Sequence, residues 1–327
     1  MTENRLPIAS VQKGERAKDR QEMQNHRGKT QARFERLWQR NPEQFNPMRN
    51  CMERERLERT IALIEQHVSL SGKLVVDLGC GAGRVSLRLK EKGATIHAVD
   101  VAKNALMLIK EKQLSEIKTL HDCLPATLLD DNIYDLVVCT DLIAYLPEKE
   151  HRLCLNELAR LVKENGFVLC STPIDIYSED ALTRFGALID TELIVVDWKM
   201  SYHRCYLWLR NVIEAPTHFS QATKNRDFRS QALNQRQAFS RWWFKINSSI
   251  VLGNFWNLFQ VLSKPIASFI RQSRIILLLL EKLSRLIWSD SGISHAIVIA
   301  KRRPLVESPP PPEFEPIERK QKKSVWE

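Results

Sequence analysis

Between Lys73 and Pro173, short apolar runs alternate with stretches whose apolar residues recur every three or four positions. Leu74–Leu78 is such a run, interrupted only by Asp77 near its end, as a parallel strand buried on both faces requires. Ala82, Val85, Ser86 and Leu89 then share one helical face. Thr95–Val99 reads as a second strand closed by Asp100, and Ala102, Ala105, Leu106 and Ile109 repeat the helical spacing. A weaker strand over Ile117–Leu120 and a clear one over Leu136–Cys139 follow. A helix with Leu155, Leu158, Ala159 and Val162 inward then leads to a strand over Phe167–Cys170. Strands alternating with helices of this length predict a parallel sheet covered on both faces.

The flanks are patterned differently. Residues 1–30 lack periodicity and predict a disordered arm. Phe34, Leu37 and Trp38, then Met52, Leu57, Ile61 and Ile64, predict helices between Gln31 and about His67, broken at Asn46-Pro47. The main domain therefore extends over 31–200, ending in a helix near 178–188 and a strand over Glu192–Val196. Residues 201–291 read as a helical insertion, 292–303 as the last strand (His295–Ala300), and 304–327, with Pro309–Pro312 in a row, as a disordered tail.

Within the insertion, Leu252, Phe255, Trp256, Phe259 and Leu262 share one face, as do Ile276, Leu279, Leu280, Leu283 and Ile287. Arg241-Trp242-Trp243-Phe244-Lys245 sets aromatics among cations, a composition common at membrane interfaces. Two readings stand: a cap packed over the active site, or a surface (240–290) for peripheral membrane contact or a greasy substrate. No window of eighteen residues is apolar enough to span a bilayer.

Composition narrows the classes. In 327 residues, 43% are hydrophobic and 27% charged, which excludes a chain disordered throughout. The net charge of +10 is uneven: residues 1–60 carry 14 Lys and Arg against 9 acids, 61–173 carry 13 against 15, and 174–291 carry 15 against 10. A basic periphery attracts RNA, anionic lipid or an acidic metabolite, and alone does not choose among them. Seven cysteines without a CxxC pair argue against a disulfide framework or a zinc site, so no metal is expected. The start lacks an apolar signal region, which points to a cytoplasmic protein, with peripheral membrane attachment as the variant.

The chemistry resides in Val75-Val76-Asp77-Leu78-Gly79-Cys80-Gly81-Ala82-Gly83, which leaves a strand and enters a helix. Such a loop lies at the carboxyl edge of the sheet, where glycines let backbone approach a ligand. A dinucleotide fingerprint would need glycine at 84 or 86, where Arg84 and Ser86 stand. The pattern is instead D-x-G-x-G-x-G, whose leading carboxylate disfavours a pyrophosphate and suits a ligand carrying an ammonium group.

This motif resembles that of the class I S-adenosylmethionine-dependent methyltransferases, particularly their small-molecule branch, over about Lys73 to Pro173. The resemblance implies an α/β, Rossmann-like, seven-stranded, mostly parallel sheet with helices on both faces and the helical insertion before the last strand. It implies S-adenosyl-L-methionine as cofactor, held by Asp77, Gly79, Cys80, Gly81, Gly83, Asp100, Val101, Asp122, Cys123 and Thr140, with Asp100 on the ribose hydroxyls and Asp122-Cys123 near the adenine. Tyr145 stands where the family often has His after the fourth strand and is the candidate substrate-facing residue. The catalytic residues stay open.

The acceptor is less marked. Asp141-Leu142-Ile143 follows the fourth strand, not the Asn/Asp-Pro-Pro-aromatic motif of enzymes that methylate amide or base nitrogens, and no Pro-Cys dipeptide occurs. Both absences favour a small-molecule acceptor, apolar or quinone- or lipid-like, over a nucleic-acid base. The rival readings are an RNA or protein methyltransferase that uses the basic flanks, and a cofactor-binding partner protein without activity of its own.

Overall fold

Five strands lie parallel, and the inner four of them are apolar on both faces. The five are β1 (Leu74–Leu78), β2 (Thr95–Asp100), β3 (Ile117–His121), β4 (Tyr134–Thr140) and β5 (Val162–Pro173). With β6 (Leu193–Ser201) and β7 (His295–Arg302) they form one seven-stranded sheet in the order β3-β2-β1-β4-β5-β7-β6, β7 running antiparallel to both neighbours. This computed structural model describes residues 28–46, 48, 50–111, 116–178, 180–234 and 238–304. The arm expected over 1–30, save its last three residues, and the tail from 305 onward lie outside the described residues.

Alternation along the strands builds two cores. Val76, Leu78, Val137, Cys139, Val168 and Val298 pack on one face with α5 (Glu148–Leu161) and α6 (Ala181–Ile189). Val75, Leu136, Val138, Leu169, Ile297 and Ile299 pack on the other with α2 (Cys51–His67), α3 (Arg84–Lys90) and α4 (Lys103–Glu111). The Rossmann-like, doubly wound architecture expected from the sequence is thus present, last strand after a helical region included. One local expectation changes: Val162 opens β5 instead of closing α5, since it pairs with Tyr134 at the sheet edge.

The helix α1, residues 28–40, leaves the sheet altogether and lies over the loops that follow β1 and β2. Glu35 anchors it: its carboxylate accepts from the backbone N–H of Lys103 (2.8 Å) and Asn104 (3.1 Å), capping α4 from another element.

The insertion comprises α7 (Arg204–Lys224), α8 (Arg226–Asn234), α9 (Ala238–Asn247), α10 (Ile250–Gln272) and α11 (Arg274–Trp288). It packs on α2 through Cys51, Tyr206, Ile270 and Leu277. Arg59 of α2 fastens it there. Its guanidinium donates to both carboxylate oxygens of Glu281 on α11 (2.6 Å each), to Ser201 Oγ (3.1 Å) and to the Met200 carbonyl (3.3 Å). Glu281 also accepts from the Tyr202 amide at 3.1 Å.

Removing Glu281 leaves the part-buried Arg59 guanidinium with a single carboxylate contact, the longer 3.3 Å one to Glu55. Glu281→Ala should therefore cost about 1.5–3 kcal/mol in urea unfolding. Arg59→Met combined with Glu281→Leu should recover most of that loss. Equal destabilisation in both variants would show that the pair contributes through packing rather than charge.

Candidate functional site

β1 passes into Gly79, Gly81 and Gly83, whose φ values of +74°, +52° and +71° are costly for any residue with a side chain. Space forbids a side chain as well. A Cβ at Gly79 would stand 2.3 Å from Leu142 Cδ1, and one at Gly81 2.8 Å from the Trp38 ring. The amides of Gly79 and Cys80 donate to the Val99 carbonyl (2.8 and 3.0 Å), which ties the loop to the end of β2. There Asp100 accepts from the Gly81 amide through Oδ2 and from the Ala102 amide through Oδ1, both at 2.8 Å. Burial raises the Asp100 carboxyl above its usual range against the pull of these two amides.

A cleft of about 540 Å³ opens above this loop, at the carboxyl edge where β1 and β4 diverge. That position is the switch point of the sheet, and the size suits a small-molecule site. Gly79, Cys80, Gly81, Asp100, Val101, Asp122, Cys123, Thr140 and Tyr145 all line it. Two of the residues expected to bind cofactor do not. Gly83 faces α4, where a Cβ would meet Ile109 Cδ1 at 2.9 Å, so its role is helix packing. Asp77 lies behind the loop, 1% exposed, accepting from Ser86 Oγ at 2.6 Å while its other oxygen has no protein partner. Burial lifts its pKa to about 6.

Asp122 also differs from expectation in detail. Its carboxylate accepts from the amides of Cys123 (2.8 Å) and Leu128 (2.7 Å), so it shapes its own loop while lining the cleft. Tyr145 is half-exposed, its ring edge-on to Phe34 of α1 at 5.1 Å. Cover over the cleft comes from Phe34 and Trp38 of α1 and from Glu53, Arg56, Leu57 and Thr60 of α2. Among the described residues, none from the insertion lines it, which corrects the expectation of a cap at 201–291. The apolar stripes of the insertion are real, but they face elsewhere.

At the end of the cleft beyond Thr140 lies a polar cluster that sequence patterning did not single out. Asp141 is held at φ +57°, a strained value for a non-glycine residue. His295 Nε2 lies 2.6 Å and Ser171 Oγ 2.8 Å from its Oδ1, and Arg56 Nη1 lies 2.6 Å from Oδ2. Burial works to raise the Asp141 pKa, yet the bond with His295 and the charge of Arg56 outweigh it and hold it at about 2. Nearby, Glu150 of α5 lines the same cleft, 2% exposed, with neither carboxylate oxygen hydrogen-bonded in the protein. Such a buried carboxylate without a partner is expensive unless something polar comes to it. The only advance signal was that Asp141 follows Thr140 at the strand end; Arg56, Glu150, Ser171 and His295 reach the site from four separate elements.

Three of the cysteines are inert by environment. Burial pushes the Cys80 and Cys170 thiols well up, and a hydrogen bond to Cys154 together with burial does the same for Cys139. No group of His, Cys, Asp and Glu able to hold a metal occurs among the described residues.

Residues 75–166 match the family model described as a methyltransferase domain. The chain is 29% identical over 112 residues to the ubiquinone biosynthesis O-methyltransferase of Coxiella burnetii (strain RSA 493 / Nine Mile phase I), an alignment covering 33% of this chain and 47% of that protein. It is 30% identical over 137 residues to the chloroplastic magnesium protoporphyrin IX methyltransferase of Arabidopsis thaliana, covering 40% and 43%. The chain thus spans about half the length of the curated relatives it matches. Among solved structures, the N-methyltransferase NodS from Bradyrhizobium japonicum WM9 aligns with TM-score 0.42 and 18% identity, over 51% of this chain and 89% of that one.

Asp77 gives this site a pH signature. Its folded pKa of about 6 lies above the unfolded 3.8, so its contribution to stability is full below pH 3.8 and is lost as pH rises through 6. The loss amounts to about 3 kcal/mol. Asp77→Asn should flatten the stability profile between pH 4 and 7 in urea titrations; an unchanged slope would assign the titration to another group.

Proposed function

We propose that this chain, whose residues 75–166 match a methyltransferase domain, is a class I S-adenosylmethionine-dependent methyltransferase that transfers a methyl group to a small, largely apolar acceptor. One observation carries the reading. The left-handed glycines at 79 and 81 and the carboxylate of Asp100 face a single cleft at the switch point of the sheet, roofed by aromatic side chains. Each Asp100 oxygen accepts one amide hydrogen and keeps a further lone pair for a sugar hydroxyl. Val101, Cys123 and Leu124 offer a wall for a flat base, and glycine at 79 and 81 leaves the loop backbone uncovered by side chains of its own.

Bound there, S-adenosylmethionine supplies an electrophilic methyl group on a sulfonium. The chain's own task is to align an acceptor and exclude water, and such alignment reaches effective molarities of about 10⁵ to 10⁸ M. Trp38 over Gly81 and the Phe34–Tyr145 pair provide the cover, while Glu35 fixes the helix that carries Phe34 and Trp38. Leu57, Leu142, Leu146 and Tyr145 make the remaining wall largely apolar, and Arg56 and Asp141 compensate each other's charge. An O-methyltransferase of ubiquinone biosynthesis among the relatives supports an oxygen acceptor on an apolar molecule. A hydroxyl of that kind needs its proton removed, and Glu150, a cleft carboxylate with both oxygens unengaged, is the group we assign to accept it.

Transfer of labelled methyl from S-adenosylmethionine into a fractionated cell extract tests the reading. Label should enter the organic or small-solute fraction, and Asp100→Ala should abolish it while weakening cofactor binding by about 2–4 kcal/mol in calorimetry. Label confined to RNA or protein would overturn it. With the acceptor in hand, Glu150→Gln should lower kcat by about 10²-fold or more and leave cofactor affinity unchanged. An unaltered kcat would remove Glu150 from proton transfer.

A further inference from the structure

We propose that the helical insertion docks the protein on an anionic lipid bilayer, with α10 lying along the interface and Trp242 and Trp243 of α9 at headgroup level. The first observation is that α10 turns most of its apolar side chains outward. Trp256 and Ile270 pack inward, together with Asn257 and Gln260, where Asn257 Oδ1 accepts from the buried Ser220 Oγ of α7 and from Gln260 Nε2. The remaining large apolar side chains of its outer face meet solvent. Phe255, Leu258, Phe259, Leu262, Ile266 and Phe269 recur at three- and four-residue spacing on one exposed stripe, with Leu258, Leu262 and Phe269 at 68%, 65% and 66%. Of 25 exposed large hydrophobic residues in the described chain, 17 belong to the insertion, which is far more than a soluble surface scatters at random. Ile275, Leu279 and Leu286 of α11 extend the apolar surface, and Trp242, Trp243 and Ile246 of α9 are exposed as well.

Charge selects the occupant. Residues 238–288 carry seven Lys and Arg against one acid, Glu281, which is already engaged by Arg59. Glu214 and Glu55, from other helices, answer Arg271 and Arg274. Lys245, Lys264 and Lys282 stand exposed on the helices that carry the apolar stripes. A two-fold contact between copies of this chain would set these cations against themselves with no acid to meet them. An anionic headgroup layer answers them, each cation near the surface contributing about 1 kcal/mol, while the stripe enters the acyl boundary. Among the described residues no helix is long and apolar enough to cross a membrane, so the contact proposed is one of lying on the surface. The insertion rests on α2, whose other side lines the cleft, so the docked surface and the site share one helix.

This inference is independent of the methyl-transfer reading, and its test needs no activity. The full chain is centrifuged with vesicles of phosphatidylcholine alone or with about one third phosphatidylglycerol. Sedimentation with the anionic vesicles, its reversal by roughly 0.5 M salt, and a blue shift of tryptophan emission on binding are expected. Leu258→Ser with Leu262→Ser and Phe269→Ser should abolish it. Lys245→Glu with Lys264→Glu, which leaves the apolar stripe intact, should lower the partition coefficient by tens-fold. Absence of sedimentation with anionic vesicles overturns the proposal. So does binding unaffected by both variants, or a concentration-dependent dimer that the serine variant disperses while vesicles remain unbound.

Discussion

The seat of the insertion depends on α2, which the sheet holds through Ile61, Leu63 and Ile64 and to which Arg59 fastens α11. A bidentate pair with Glu281, closed by Ser201, the Met200 carbonyl and the Tyr202 amide, joins α2, the end of β6 and α11 at one buried point. Hydrophobic contact alone would let the insertion slide on α2, because apolar packing is not directional. A planar guanidinium facing a carboxylate has one good geometry, and so fixes register as well as proximity. From that fixed helix, Glu53, Arg56, Leu57 and Thr60 then reach the cleft, and Arg56 reaches Asp141. One helix thus carries both a wall of the cleft and the seat of the insertion, although the insertion contributes no lining residue among those described.

The same separation explains what was legible in the sequence. β1, β2 and β4 announce themselves because burial on both faces demands runs such as Leu74–Leu78, and the glycine motif announces itself because positive φ excludes other residues there. Trp38 was visible as part of a helical stripe, but not as the roof over Gly81. Periodicity reports that one helix face is apolar, not what that face meets. Phe255, Phe259 and Leu262 therefore read as a cap or as an outer surface, and the structure, with Asn257 against Ser220 and these side chains exposed, shows which way α10 is turned. The acceptor end was illegible for another reason. Arg56, Asp141, Glu150 and His295 come from α2, the end of β4, α5 and β7, and no local spacing relates them.

Two acids near the cleft show how environment, not residue type, sets charge. Asp77 and Asp141 both end or follow central strands and both are withdrawn from water. Asp77 has a single side-chain donor, Ser86, and burial prevails, so its pKa stands at about 6. Asp141 has His295, Ser171 and Arg56, and they prevail over burial, so its pKa stands at about 2. The strained φ of Asp141 is tolerated because these partners fix its carboxylate from three directions. Asp77 has no such clamp and an oxygen left over, so its charge responds to what arrives. A cation brought beside the glycine loop lowers the Asp77 pKa, and by linkage an ionised Asp77 favours that cation. The carboxylate that the motif places before its first glycine thus lies behind the loop and does not line the cleft.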